Sequence, residues 1–130
     1  MTERQKNNQL FSFLEKDMNE AYYLYCDRDD PDRKFASDWD FLLVFRGRSI
    51  YSEAKNLPGA TMQKSKFTSD QLFARANILE AGGEHIMLVW DKKDKKGMKG
   101  RLYTNFLVSY PFSSLDELIY TIKVRPEWRG

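Results

Sequence analysis

The stretch "WDFLLVFRGRSIYSEAK", residues 39–55, decides how the chain is expected to fold. Its first part is a nearly continuous apolar run of strand length, which is typical of a central, buried strand. "RGR" follows, and its glycine can adopt the positive φ that a tight turn requires. The second part alternates polar and apolar residues, as a returning strand does. We therefore expect an antiparallel hairpin, with Glu53 and Lys55 on one face of the sheet and Ala54 on the other.

The flanking sequence predicts the remaining elements from hydrophobic period and breaker residues. These are a helix over 5–20 (with a stripe of Leu10, Phe11, Phe13, Leu14 and Met18), strands over 21–26, 39–45 and 50–55, a helix over 68–83, strands over 85–90 and 101–110, and a helix over 115–122. The order α-β-β-β-α-β-β-α predicts an α/β fold with a mixed central sheet flanked by helices. The step from the third strand to the fourth passes through a helix, so these two strands should be parallel.

The helix over 68–83 carries signals at both ends. Thr68 and Gln71 have the spacing of a capping box, and Gly82 suits the position just past the end. We expect its buried stripe to consist of four apolar residues: Leu72, Phe73, Ala76 and Leu79.

The composition limits the class of protein. The 130 residues suit a single domain, 1–130, and 42% hydrophobic and 15% aromatic content argues against disorder. A net charge of +2 does not by itself indicate nucleic-acid binding. Cys26 is the only cysteine, which excludes an intrachain disulfide and suits a reducing cytosol. No apolar run is long enough for a membrane span, and the first ten residues lack the apolar region of a signal peptide, so we expect a cytoplasmic protein.

The hairpin register brings two acidic residues together. With a two-residue turn, Phe45 pairs with Arg48 and Asp40 falls opposite Glu53. A three-residue turn would shift the register and place Asp40 diagonally from Glu53, still within reach of one ion. Directly opposed like charges are destabilising, and a divalent cation between them removes that cost. Mg²⁺ suits one or two carboxylates, and Lys55 lies on the same face, where it would stabilise charge on a phosphate or orient the attacking water. The alternative is an ordinary solvated cluster of Asp, Glu and Lys on a surface hairpin.

This arrangement resembles the PD-(D/E)xK nuclease superfamily, whose signature is an acidic residue at a strand start and (D/E)-x-K on the next strand. Here these are Asp40, Glu53 and Lys55, with Trp39 in place of the namesake proline. Within the superfamily the chain is most similar to Holliday-junction resolvases of the RecU and Hjc types. A second segment, "DQLFARANILEAGGEHIMLVW" (70–90), resembles the RecU segment in which a glutamine opens a helix and a pair of small residues precedes a strand.

The resemblance implies a restriction-endonuclease-like αβββαβ core and a role for each matching residue. Asp40 and Glu53 would hold Mg²⁺, for which Mn²⁺ would substitute, with the Ala54 carbonyl as a third ligand. Lys55 would be the catalytic lysine, and Gln71 would help to place the lysine or the substrate, although the capping box alone also explains Gln71.

Three other acids are weaker candidates for the same centre. Glu15, on the first helix, is a candidate further ligand, with an exposed helical glutamate as the alternative. Asp38 is a candidate auxiliary acid and Asp27 a weaker one, and a loop position explains both.

Candidate phosphate contacts lie in "QKSKF", 63–67, which joins the third strand to the helix that follows. Lys64 and Lys66 are the preferred cations, since phosphate contacts come mainly from basic side chains. Additional candidates are Thr61 and Ser65 through their hydroxyls, and Arg75, for which a solvated helix face is the alternative. Arg46 and Arg48 flank the turn at the far end of the strands and rank lower.

These inferences favour a Mg²⁺-dependent endodeoxyribonuclease that hydrolyses phosphodiesters in branched DNA. We expect it to act in recombination or replication in a bacterial or phage-infected cell. Symmetric cutting of a junction would require a homodimer. The alternatives are a nuclease of the same fold with a repair or restriction purpose, and a non-catalytic DNA-binding module.

Overall fold

A computed structural model describes residues 1–17, 21–25, 40–45 and 47–125 of the chain. Its helices and strands are α1 (Glu3–Asp17), β1 (Ala21–Tyr25), β2 (Phe41–Phe45), β3 (Arg48–Leu57), α2 (Ser69–Glu80), β4 (Glu84–Asp91), β5 (Gly100–Tyr103), β6 (Ser109–Phe112) and α3 (Leu115–Val124). Two short 3-10 turns, Pro58–Ala60 and Lys64–Lys66, lie between β3 and α2.

The six strands form one sheet in the order β1-β2-β3-β4-β5-β6. β3 and β4 are parallel and all other neighbours are antiparallel. The predicted α/β fold with a mixed sheet flanked by helices is therefore confirmed. None of the described helices is long and apolar enough to cross a membrane.

The β2–β3 hairpin has the predicted register. Phe45 pairs with Arg48 and Phe41 with Ser52, and Gly47 has a φ of 85°, which a tight turn requires and a glycine adopts without strain. Arg48 anchors the turn, because its guanidinium donates to the Glu84 carboxylate at 2.7 Å and to the Ile122 carbonyl at the end of α3.

Apolar side chains divide between the two faces of the sheet. The larger cluster joins one face to α1 and α3, and its buried members are Leu10, Phe11, Leu14, Phe41, Leu43, Phe45, Ile50, Ala54, Ile86, Leu88, Trp90, Leu102, Phe112, Leu118, Ile119 and Ile122. The smaller cluster covers the opposite face beneath α2, with Leu57, Ala60, Phe67, Met87, Val89 and Tyr103 as its buried members. Since side chains alternate along β3, Glu53 and Lys55 lie on this second face.

The expected strand over 101–110 is wrong, because the structure divides it into β5 and β6. The loop between them, residues 104–108, turns on Asn105, whose Oδ1 accepts the backbone N–H groups of Leu107 and Val108 at 2.8 and 2.9 Å. A side chain that binds the backbone in this way competes with the strand ladder.

The expected buried stripe of α2 is also partly wrong. Phe73 is 69% exposed and Ala76 is exposed, whereas Leu72 and Leu79 are half-buried. The helix instead turns Gln71 and Arg75 towards the sheet, where both polar side chains find partners. These residues are four apart and therefore share one helix face.

Other element boundaries differ from the predictions by a few residues. β3 continues to Leu57, beyond its expected end, because its parallel pairing with β4 extends to Leu57 and Asp91. Ser114 caps α3 by accepting the backbone N–H of Glu117. The expectations for Met18, Cys26 and Trp39 lie outside the described residues.

Polar side chains on α1 fasten this helix to the ends of the central strands. The buried Trp90 donates its indole N–H to Asn7 Oδ1 at 2.8 Å. Lys6, which is also buried, donates to the Asp91 carbonyl at 2.7 Å and to Asn56 Oδ1 at 3.2 Å. These bonds satisfy groups that burial would otherwise penalise.

We expect Asn7→Ala to lower the free energy of unfolding by about 1–3 kcal/mol, because it leaves the buried Trp90 N–H without its acceptor. Urea denaturation measures the change. Asn8→Ala is the matched control, since Asn8 is the next residue and is exposed, and its effect should stay within about 0.5 kcal/mol. Equal effects of the two substitutions would contradict the role given to Asn7.

Candidate active site

Asp40 closes the open end of the β2–β3 hairpin. Its backbone N–H donates to the Ser52 carbonyl at 2.9 Å, and its carboxylate Oδ2 accepts the N–H of Ala54 at 2.8 Å. The side chain thus takes the place of the next ladder hydrogen bond. This holds the half-buried Asp40 carboxylate beside β3 at the level of Glu53 and Ala54.

The Ala54 carbonyl lies on the same side of β3 as Asp40. Carbonyl groups two residues apart along a strand point in the same direction, and the carbonyl of Ser52 points towards Asp40. The ladder pairs of β2 and β3 end at Phe41 and Ser52. The Ala54 carbonyl therefore faces the space next to the Asp40 carboxylate.

Glu53 lies in the middle of β3 with only 2% of its surface exposed. Its Oε1 accepts a hydrogen bond from Gln71 Nε2 at 2.7 Å. A buried carboxylate is costly unless hydrogen bonds or an opposite charge compensate it, so this contact is a significant part of what allows Glu53 to lie there.

Gln71 caps α2 and also binds Glu53. Its backbone N–H donates to Thr68 Oγ1 at 3.1 Å, and its side-chain Oε1 accepts the N–H of Thr68 at 2.9 Å, which completes the capping box. Because a backbone N–H only donates, the amide oxygen must face Thr68. The amide nitrogen must then face Glu53, so the helix cap orients the group that binds the carboxylate.

The oxygen atoms beside the point where the β2–β3 pairing ends suit a small hard cation. Mg²⁺ prefers carboxylate and carbonyl oxygens and keeps several waters, and Asp40, Glu53 and the Ala54 carbonyl offer that chemistry. Among the described residues, no group of three or more His, Cys, Asp or Glu side chains converges on one point. The candidate ligands of the cation are therefore the two carboxylates of Asp40 and Glu53 and the main-chain oxygen of Ala54.

Lys55 is fixed by an aromatic ring. Its Nζ lies 5.2 Å from the centroid of the Phe67 ring, within the range of a cation–π contact. The Phe67 ring meets Phe106 edge to face with centroids 5.8 Å apart, and Lys64 Nζ lies 5.7 Å from the Phe106 centroid. Two lysines and two aromatic rings thus form one continuous row, which the sequence pattern did not reveal and which we call the Lys–Phe row.

The candidate phosphate contacts occupy different environments. Lys64, Ser65 and Lys66 form an exposed 3-10 turn, and Thr61 is exposed just before it. Arg75 is half-buried and donates to the Thr104 carbonyl at 2.6 Å, so it does not belong to a solvated helix face.

Other candidates lie away from Glu53 or outside the described residues. Glu15 is exposed on α1, which packs on the opposite face of the sheet, so it is not part of the site proposed below. Asp27, Asp38 and Arg46 lie outside the described residues. Arg48 is engaged in the ion pair with Glu84.

His85 lies beside the site on β4, opposite Tyr51 in the parallel ladder, and only 3% of its surface is exposed. Burial, with the positive charge of Arg75 as a second cause, lowers the pKa of His85 to about 3. His85 is therefore neutral near pH 7. The sequence, in which His85 is the single histidine, gave no sign that this residue lies next to Arg75.

An open cleft of about 500 Å³ continues along the same face of the sheet. Its floor is formed by Ser49 and Tyr51 on β3, and Asn77 and the Gly82–Gly83 pair at the end of α2 form its wall. Tyr51 precedes Glu53 by two residues and lies on the same strand face. The cleft therefore adjoins the carboxylate site.

No protein-family model matches the chain. No curated protein matches it either.

We expect the stability of the protein to fall between pH 6.5 and 3 partly because of His85. In this window the unfolded chain binds a proton at His85 and the native protein does not, so the native state loses up to about 1.4 kcal/mol for each pH unit lowered. The contribution is fully present above pH 6.5.

Urea denaturation of the wild type and His85→Leu across this pH range measures the effect. The wild type should lose stability more steeply than the variant as the pH falls. Parallel curves would show that His85 is protonated equally in both states.

Proposed function

We propose that this protein is a Mg²⁺-dependent endodeoxyribonuclease that hydrolyses phosphodiester bonds in branched DNA, as Holliday-junction resolvases do. The observation that carries the proposal is the placement of the three motif residues where the pairing of β3 with β2 ends. Asp40 is held on the Ala54 N–H, Glu53 is held by Gln71, and Lys55 follows on the same strand face.

The order of elements is consistent with this proposal. The run α1-β1-β2-β3-α2-β4 has the αβββαβ sequence expected of a restriction-endonuclease-like core. β3 lies between antiparallel β2 and parallel β4, and the motif residues flank the point where the β2–β3 pairing ends.

Each residue has a defined task in the proposed reaction. Asp40, Glu53 and the Ala54 carbonyl would hold Mg²⁺, with Mn²⁺ as a substitute. When bound, the cation supplies Lewis-acid stabilisation of the negative charge that develops on the phosphate. Lys55 adds a positive charge at the same place and orients the attacking water, while Gln71 keeps Glu53 in a fixed rotamer.

The exposed cations next to this centre support a nucleic-acid substrate. Lys64 and Lys66 stand on the turn that connects to the ring under Lys55, where they can contact phosphates on either side of the scissile bond. Thr61 and Ser65 would add hydroxyl donors. A homodimer would place two such centres on the two strands of a junction that must be cut symmetrically.

We expect Asp40→Asn and Lys55→Met each to lower the rate of cleavage of a labelled four-way junction in Mg²⁺ by about 10²–10³-fold. The introduced asparagine keeps a side-chain oxygen for the Ala54 N–H, and the introduced methionine keeps an apolar stem against Phe67, so both variants should fold and bind. Gel assays of junction and matched linear duplex in Mg²⁺ and in Mn²⁺ measure cleavage.

Asp116→Asn and Lys92→Met are the matched controls. Asp116 is exposed on α3, and Lys92 is exposed in the β4–β5 loop. They should cut as the wild type does. Equal cutting of linear duplex would favour a repair or restriction nuclease, and binding without any cutting in either metal would favour a non-catalytic DNA-binding module.

We also expect Lys64→Ala and Lys66→Ala to weaken binding to all DNA forms alike. Each lost phosphate contact should reduce the slope of log affinity against log salt concentration by about 0.9. Fluorescence anisotropy titrations at several salt concentrations measure the slope, with Lys92→Ala as the exposed control. An unchanged slope in both variants would remove this turn from the DNA-binding surface.

A further inference from the structure

We propose that the loop 104–108, between β5 and β6, is a wedge that enters DNA at a branch point, with Leu107 as the inserted side chain. The inference rests on the proposed function in one respect, since it takes branched DNA as the substrate. Beyond that function, the inference assigns to this loop the recognition or opening of the branch.

The tip of this loop is unusually apolar for a surface exposed to water. Leu107 is 94% exposed and is the most exposed large apolar side chain among the described residues, and the adjacent Val108 is 44% exposed. Adjacent exposed apolar side chains at a loop tip give no folding energy, whereas they are suited to a contact with another molecule.

The loop is held in place from several sides. Asn105 Oδ1 accepts the N–H groups of Leu107 and Val108, and the N–H of Thr104 donates to the Val108 carbonyl at 3.2 Å. Arg75 of α2 holds the base of the loop through the Thr104 carbonyl at 2.6 Å. A pre-ordered loop loses little conformational entropy when Leu107 is inserted.

The Lys–Phe row links the wedge to the candidate active site. Phe106, the residue before Leu107, packs edge to face on Phe67, and the Phe67 ring also contacts the ammonium of Lys55. Leu107 is therefore placed at a fixed offset from Lys55, only two ring contacts away. Insertion at a branch would bring a defined phosphate next to Lys55.

The charges beside the loop favour DNA over a second copy of this chain. Lys64 lies over the Phe106 ring, and Lys66 is exposed on the same turn. In a two-fold contact the same patch of both chains meets itself, so these lysines would approach their own copies and repel. A polyanion instead neutralises them.

Insertion of an apolar side chain between bases is a known way of binding distorted DNA. Leucine, among other apolar residues, can replace a lost stacking contact, and unstacking costs a few kcal/mol for each step. The bases at a branch point are already less well stacked than those in a duplex, so Leu107 would select branches over linear DNA.

The test is a four-way junction with 2-aminopurine at the branch, because its fluorescence rises when the base is unstacked. Titration in EDTA with wild type should raise the signal severalfold at saturation. Leu107→Ser should still bind with the same salt dependence but lose most of the rise, and Leu107→Met should restore it. Tyr120→Ser, which removes an aromatic side chain 67% exposed on α3, should behave as the wild type does.

Three outcomes would overturn the wedge. The first is an equal rise in fluorescence with Leu107→Ser, and the second is no rise in fluorescence when the wild type is bound. The third is a wild-type dimer in sedimentation that Leu107→Ser dissociates, because the loop would then be a contact between copies of the chain. The readout needs no cleavage, so a protein that never cuts can still pass. A nuclease that unstacks no base would still cut DNA and would fail only the fluorescence test.

Discussion

The hydrogen bond from Gln71 to Glu53 sets how α2 lies over the sheet. A carboxylate with 2% of its surface exposed needs a strong donor, and the 2.7 Å contact with Gln71 Nε2 supplies one. The same glutamine is the third residue of α2 and part of its cap, so the start of the helix and the donor cannot move independently. The next turn then places Arg75 on the Thr104 carbonyl.

The two faces of the sheet differ in the side chains that they bury. The large apolar cluster against α1 and α3 buries most of the side chains that drive folding. The smaller cluster beneath α2 leaves room on its face for Glu53, Lys55 and His85. Buried polar groups of this kind reduce stability unless each is paired, and a protein can carry them when the opposite face supplies the hydrophobic free energy.

The sequence predicted the features of the site that depend on local rules. A two-residue turn fixes the hairpin register, and the period of two places Glu53 and Lys55 on one face, so the position of Asp40 at the open end of the hairpin followed from residues 39–55 alone. The fold class followed from the order of elements. The bond from the Asp40 carboxylate to the Ala54 N–H was not predictable, because it depends on where β2 leaves the ladder.

Contacts between segments that are distant in the sequence could not be predicted, and the reason is the same for each of them. The rotation of α2 that exposes Phe73 is set by the partners of Gln71 and Arg75 on other elements, which hydrophobic period does not encode. The Lys–Phe row likewise joins β3, the turn before α2 and the β5–β6 loop.

That row has a consequence for the proposed chemistry. Among the described residues, the contact that the structure gives the Lys55 ammonium is the face of the Phe67 ring. A ring face positions a cation without neutralising it, whereas an ion pair with Glu53 would cancel the charge on both groups. In the proposed reaction Lys55 would therefore act on a phosphate and Glu53 would bind a cation, because Phe67 holds the lysine and Gln71 holds the glutamate.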